Sequence, residues 1–110
     1  MTCWVARFGM YERGHMPPCD GQVIRAHLIP RRLLLRELDA ATAAKAIDDP
    51  RSWVPCCGGP TGAGGHHGML DVSRTIRIPY RCLPVGLHSL CEELGLTWWL
   101  DREYGEFAHD

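Results

Sequence analysis

Three histidines, two adjacent cysteines and one aspartate stand where their types allow metal and proton chemistry. His27 closes the run Val23-Ile24-Arg25-Ala26 and is followed by Leu28-Ile29-Pro30-Arg31. Cys56 and Cys57 follow Ser52-Trp53-Val54-Pro55, and the pair His66-His67 opens Gly68-Met69-Leu70-Asp71 after a glycine-rich stretch. An imidazole, with an unperturbed pKa of ~6.5, accepts a proton near neutrality when its other nitrogen is held by a partner. Imidazole, thiolate and carboxylate are also the side chains that bind divalent transition metals. On a helix Asp71 lies one turn after His67 and shares its face, so it can reach an ion held by His67 or the imidazole itself. His66 points about a hundred degrees away from His67 on the same helix.

To meet, these residues need two strands and a helix. Gln22 to Leu28 alternates weakly between Gly21 and Pro30 and reads as a short strand. Arg31 to Ile47 is rich in Leu and Ala, lacks Gly and Pro, and places Leu34, Leu38 and Ala41 at helical spacing, which predicts a helix ended before Pro50. Ser52 to Cys56 reads as the second strand, Gly58 to Gly65 as a loop, and His66 to Ser73 as a short helix. If the strands pair, the Arg31–Ile47 helix is a long excursion between them, and the short helix lies across the hairpin and carries His67 toward His27. Before this core, residues 1–21 read as irregular after a short strand at Trp4–Phe8. After it come an edge strand at Thr75–Ile78, a turn bounded by Pro79 and Pro84, and two helices, Leu87–Leu94 and Thr97–Tyr104, divided by Gly95. Leu96, Trp98, Trp99 and Leu100 read as the core of this C-terminal cap, as do Cys82 and Cys91.

The 110 residues make one domain, near the size at which a metal often helps to hold a fold. Six cysteines invite a disulfide reading, yet no charged leader, apolar run and cleavage site opens the sequence, so reduced thiols in a cytoplasm are the expectation. The longest apolar runs, Leu33-Leu34-Leu35 and Trp98-Trp99-Leu100, fall far short of the ~20 residues that cross a bilayer, so no membrane partner is expected. A net charge of −1 argues against indiscriminate coating of nucleic acid, but it conceals an asymmetry. Residues 92–110 carry −5 and residues 1–91 carry +4. Between Ile24 and Arg36 there are four arginines, Arg25, Arg31, Arg32 and Arg36, and no acid. Arg offers a planar fork matched to phosphate oxygens, so a phosphate-facing patch beside His27 is one reading. A solvated helix face balanced by Glu37 and Asp39 is the other.

The segment from Val23 to Asp71, with its Ala26-His27-Leu28-Ile29-Pro30 and His66-His67 motifs, resembles an HNH nuclease, and Arg74 to Gly105 resembles the tail of small phage and actinobacterial proteins of that type. The resemblance implies an α+β fold: a small ββα-metal core at about 19–73, with a long helical insertion between the strands and a helical C-terminal cap at about 74–110. It implies a DNA endonuclease in which His27 is the general base and His67 holds one divalent cation, with Asp71 as a further ligand or its orienting partner. Ser52 stands where the family usually has an asparagine, and is expected to help position the hairpin or His27. Arg25, Arg31 and Arg32 are the expected DNA contacts. Histidine ligation tilts the ion toward Mn²⁺, Co²⁺, Ni²⁺ or Zn²⁺ without excluding Mg²⁺. Where many relatives place a second metal ligand just before the base, this chain has Ala26.

In the related proteins the position of His66 often holds a zinc-binding cysteine, which implies a structural zinc. Cys57 or Cys56 with His66 would supply two ligands, Cys19 a third, and either Cys3 or His15 the fourth. No C-x-x-C spacing accompanies them, so a hydrogen-bonded cluster without metal stays open. The glycine-rich run Cys57 to Gly65 lacks the Gly-Lys-Ser/Thr ending of a nucleotide-binding loop, which excludes an NTPase reading. Two other classes remain beside the enzyme: an HNH-like DNA-binding module without catalysis, suggested by Ala26 and Ser52, and a zinc-stabilised interaction protein, suggested by the cysteines and the acidic end.

Overall fold

A computed structural model describes residues 2–5, 19–58, 61, 63–74 and 78–105. Strands β1 (Val23–His27) and β2 (Trp53–Cys57) pair antiparallel, with Val23 opposite Cys57 and His27 opposite Trp53. Backbone bonds Gly58 N–H to Gln22 O, 2.7 Å, and Leu28 N–H to Ser52 O, 2.9 Å, extend the ladder at both ends. Pro55 has no N–H to donate, and a two-stranded sheet tolerates it because each strand is an edge. Ala26, Val54 and Cys56 are fully buried against the core, whereas the Arg25 guanidinium lies 4.5 Å over the ring of Trp53, its diagonal neighbour across the pair.

The excursion between the strands is two helices rather than one. Helix α1 (Arg31–Glu37) ends at Leu38, and α2 (Ala40–Asp48) begins after Asp39, whose carboxylate accepts from Thr42 N–H and from the Thr42 hydroxyl, both at 2.8 Å. An aspartate that caps two otherwise unbonded groups starts a new helix more favourably than it continues an old one. The break lets Leu33 and Leu34 of α1 and Ala43 and Ala46 of α2 enter one core. Ser52, fully buried at the entrance to β2, has its hydroxyl 2.7 Å from both Ala46 O and Asp49 O and so pins the end of α2 to the hairpin.

After the glycine-rich loop, a short helix α3 (Gly65–His67) widens into a π turn, Gly68–Val72, closed by Ser73 N–H to Gly68 O at 2.8 Å. The predicted regular helix over 66–73 is thus a mixed one. Helices α4 (Leu87–Leu94) and α5 (Thr97–Tyr104) flank Gly95 as expected, and Leu87, Leu90, Cys91, Leu96, Trp99 and Leu100 bury against the sheet and excursion. Trp98 departs from the expected core role: it is 43% exposed, with Arg102 over its ring. Arg51 ties the cap to the hairpin by pairing with Asp49 and Glu93, both at 2.8 Å, and Trp4 donates to Cys82 O at 2.7 Å. Trp4 and Val5 are helical, while the remainder of the expected strand to residue 8, and residues 75–77 of the expected edge strand, lie outside the described residues. No described helix is long and apolar enough to cross a membrane.

Ser52→Ala removes a buried hydroxyl whose proton serves the Ala46 and Asp49 carbonyls, and is expected to lower unfolding free energy by about 0.5–1.5 kcal/mol in chemical denaturation.

Candidate functional site

Cys57 and His27 stand at opposite ends of the ladder, and the segment Gly65–Val72 meets both: His66 reaches Cys57 and Asp71 reaches His27. Two glycines permit this approach. Gly65 has φ +62°, and a Cβ on it would stand 2.4 Å from the Cys57 carbonyl oxygen; one on Gly68 would stand 1.9 Å from the Ala63 carbonyl oxygen. Since both obstacles are backbone, a side chain at either position displaces the segment.

At the first end, Nδ1 of the fully buried His66 lies 3.2 Å from Cys57 Sγ, 3.4 Å from Cys3 Sγ and 3.8 Å from Cys19 Sγ. All four ligand atoms fall within 4.8 Å of one another, a group that could hold a metal ion. A tetrahedral zinc with Zn–S of ~2.3 Å and Zn–N of ~2.0 Å places sulfur and nitrogen about 3.6 Å apart, and the three distances bracket that value. His66 N–H also donates to Cys57 Sγ at 3.2 Å. Cys19 is exposed as a residue, but its sulfur turns into the cluster; lost hydration, then Cys3 and Cys57, push its thiol up to about 12. Burial first, then Cys3, pushes Cys56 up to about 12 as well. A divalent cation bound by the group would hold its sulfurs as thiolates, with release of the Cys19 proton. Of the two sulfurs left open by sequence, Cys57 rather than Cys56 joins the group; Cys3 supplies the fourth atom, and His15 lies outside the described residues.

At the second end, one carboxylate oxygen gathers three nitrogens. Asp71 Oδ2 accepts from His27 N–H at 3.1 Å and lies 3.3 Å from His27 Nδ1 and 3.4 Å from His67 Nε2. The other His27 nitrogen, Nε2, faces the Ile47 carbonyl at 3.2 Å, so each ring nitrogen stands against an oxygen that only accepts. Ile47 O also lies 3.5 Å from Ser52 Oγ, which sets Ser52 behind the carbonyl that orients His27. Burial alone would raise the Asp71 pKa, but the side-chain and backbone hydrogen bonds of His27, with the charges of His27 and His67, outweigh it and hold the carboxyl below its ordinary 3.8. His27 is 8% exposed, so the cluster is nearly enclosed in this state.

Ala26 faces the core opposite Val54 and offers nothing to this cluster. Arg31 and Arg32 are exposed in the first turn of α1, just beyond His27. Cations there oppose the helix dipole, so they are not placed for helix stability. Arg25 is half exposed and 3.7 Å from Asp48 besides its contact with Trp53. Arg74, which the sequence reading assigned no role, has Nη2 3.4 Å from His27 O and 3.8 Å from Asp71 Oδ1. Its one sequence signal is that it follows Asp71 by three residues.

Comparisons of the chain with family models, curated proteins and solved structures find no match.

Two outcomes follow from these geometries. Purified protein is expected to carry about one zinc per chain by elemental analysis, and Cys57→Ser to lose it together with roughly 10 °C or more of melting temperature. Because the Asp71 pKa is lowered on folding, its contribution to stability is complete above pH 3.8 and is lost as pH falls through the lowered value. Denaturation followed against pH should therefore show an acid decline that is shallower in Asp71→Asn, with Asp39 and Asp49, also lowered, retaining the rest.

Proposed function

We propose that the protein is a metal-dependent DNA endonuclease of the HNH type. The observation that carries the reading is the meeting of His27 and His67, distant in sequence, on a single oxygen of Asp71. In support stand a strand-strand-helix arrangement, the resemblance of Ala26-His27-Leu28-Ile29-Pro30 and His66-His67 to that family, and the arginines that follow His27.

His67 and Asp71 offer an imidazole nitrogen and a carboxylate for one divalent cation, Mn²⁺ or Mg²⁺ in the first instance. Such an ion supplies Lewis-acid charge on the phosphoryl oxygens and the leaving group. With Nε2 held on the Ile47 carbonyl, Nδ1, on the Asp71 side, is the nitrogen assigned to take a proton from water once Asp71 no longer engages it. The water oxygen bonds to phosphorus, the bond from phosphorus to the 3′ oxygen breaks, and the departing 3′ oxygen takes a proton from solvent, leaving a 5′-phosphate and a 3′-hydroxyl. Ser52 braces this arrangement through Ala46, Ile47 and Asp49 and touches no reacting atom. Arg31 and Arg32 hold the DNA backbone beside the cleft, and the thiol group with its zinc fixes the start of α3 and so the position of His67.

A second reading rests on the same thiol group and on the enclosure of His27: a zinc-stabilised module that binds DNA or protein without cutting. A supercoiled-plasmid assay with added Mn²⁺ or Mg²⁺ separates the two. Nicking is expected, with His27→Ala and His67→Ala each slowing it by about 10²-fold or more. Retention of DNA without cleavage by the zinc-loaded protein would favour the inert module, and neither cleavage nor retention would favour a protein-interaction role.

A further inference from the structure

Arg74 is the single non-glycine among the described residues with a left-handed backbone, at φ +54°. L side chains with a Cβ disfavour that region, and where it persists the surrounding structure holds it. The contacts of the side chain do not account for this. Its two polar approaches, 3.4 Å to His27 O and 3.8 Å to Asp71 Oδ1, are made by Nη2 and are long beside the ~2.8 Å of a well-formed charge-assisted bond. The side chain is 38% exposed, and the guanidinium carries further N–H donors on Nη1 and Nε besides those of Nη2.

The carboxylate divides its two oxygens. Oδ2 serves the imidazoles and Oδ1 faces the guanidinium, so Arg74 stands beside the cluster as a cation adjoining the acid. An approaching phosphodiester meets the negative charge of Asp71 and needs a compensating cation on the same rim. We propose that Arg74 binds a non-bridging phosphate oxygen of the DNA strand at this cluster, through the guanidinium nitrogens not turned to Asp71, and that its strained backbone serves that placement. The proposal rests on the endonuclease reading and adds to it a substrate-touching residue beyond Arg25, Arg31 and Arg32.

The test compares wild type with Arg74→Gly and Arg74→Lys in three measurements: plasmid nicking, DNA binding against salt in metal-free buffer, and thermal melting. Arg74→Gly removes the guanidinium and relieves the backbone together. The expected result is nicking slowed at least tenfold, a salt slope of log affinity smaller by about 1, and a melting temperature equal to or above wild type, with Arg74→Lys recovering the slope and part of the rate. A glycine variant with the wild-type slope and rate overturns the proposal. So does a lowered melting temperature with a defect that lysine does not relieve, since that marks a brace for Asp71 and nothing more. If wild type binds DNA without cutting it, the endonuclease reading fails while the salt slope still decides Arg74; if wild type does not bind DNA, both fall.

Discussion

The close approach of Gly65 to the end of β2 is the constraint on which the molecule depends. Its backbone lies where any Cβ would strike the Cys57 carbonyl oxygen and touch that of Asp20, so the segment that follows enters between the two cysteine-bearing strands of chain. His66 is thereby inserted among three sulfurs, and every residue from His67 to Asp71 takes its place from that insertion. An isolated three-residue helix has no stability of its own, because nucleation fixes several dihedrals for one bond. Tertiary contact at Gly65, His66 and Gly68 is what keeps α3 formed.

Adjacent histidines then serve neighbourhoods of different character. The His66 side is soft, sulfur-rich and buried, a setting for a tetrahedral ion held for structure. The His67 side pairs imidazole with carboxylate and lies next to arginines, a setting in which charge is offered to something arriving from outside. The π turn between Gly68 and Val72 joins them, with Ser73 N–H and its hydroxyl both on Gly68 O, at 2.8 and 3.2 Å. Such widened turns concentrate at functional sites, where they re-aim side chains that a regular helix would leave in register. The two clusters are thus held by one short stretch of chain, His66 at its start and Asp71 within the π turn.

The two strands taken singly, the C-terminal helices divided by Gly95 and the shared face of His67 and Asp71 were all legible in the sequence, since each is written in local spacing. The excursion was less so. Asp39 reads in the sequence as one more charge balancing the arginines, yet with Thr42 three residues on it is a helix start, and it splits the predicted 31–47 helix. Trp98 reads as core because its neighbours are, but α5 has one apolar stripe, and Trp99 and Leu100 fill it. The membership of the thiol group was open for a different reason: Cys3, Cys19, Cys57 and His66 come from segments up to 63 residues apart, and no short motif binds them.

Residue type and spacing alone marked the strands at 22–28 and 52–56, the face shared by His67 and Asp71 and the glycine-rich loop before them. Those features depend on residues within a turn or two of each other. Only the folded chain decided which sulfurs face His66, that His27 lies between the Ile47 carbonyl and Asp71, and that Arg74 stands against Asp71 with a left-handed backbone. Each of these depends on strand register and on packing between remote segments, for which local spacing carries no information.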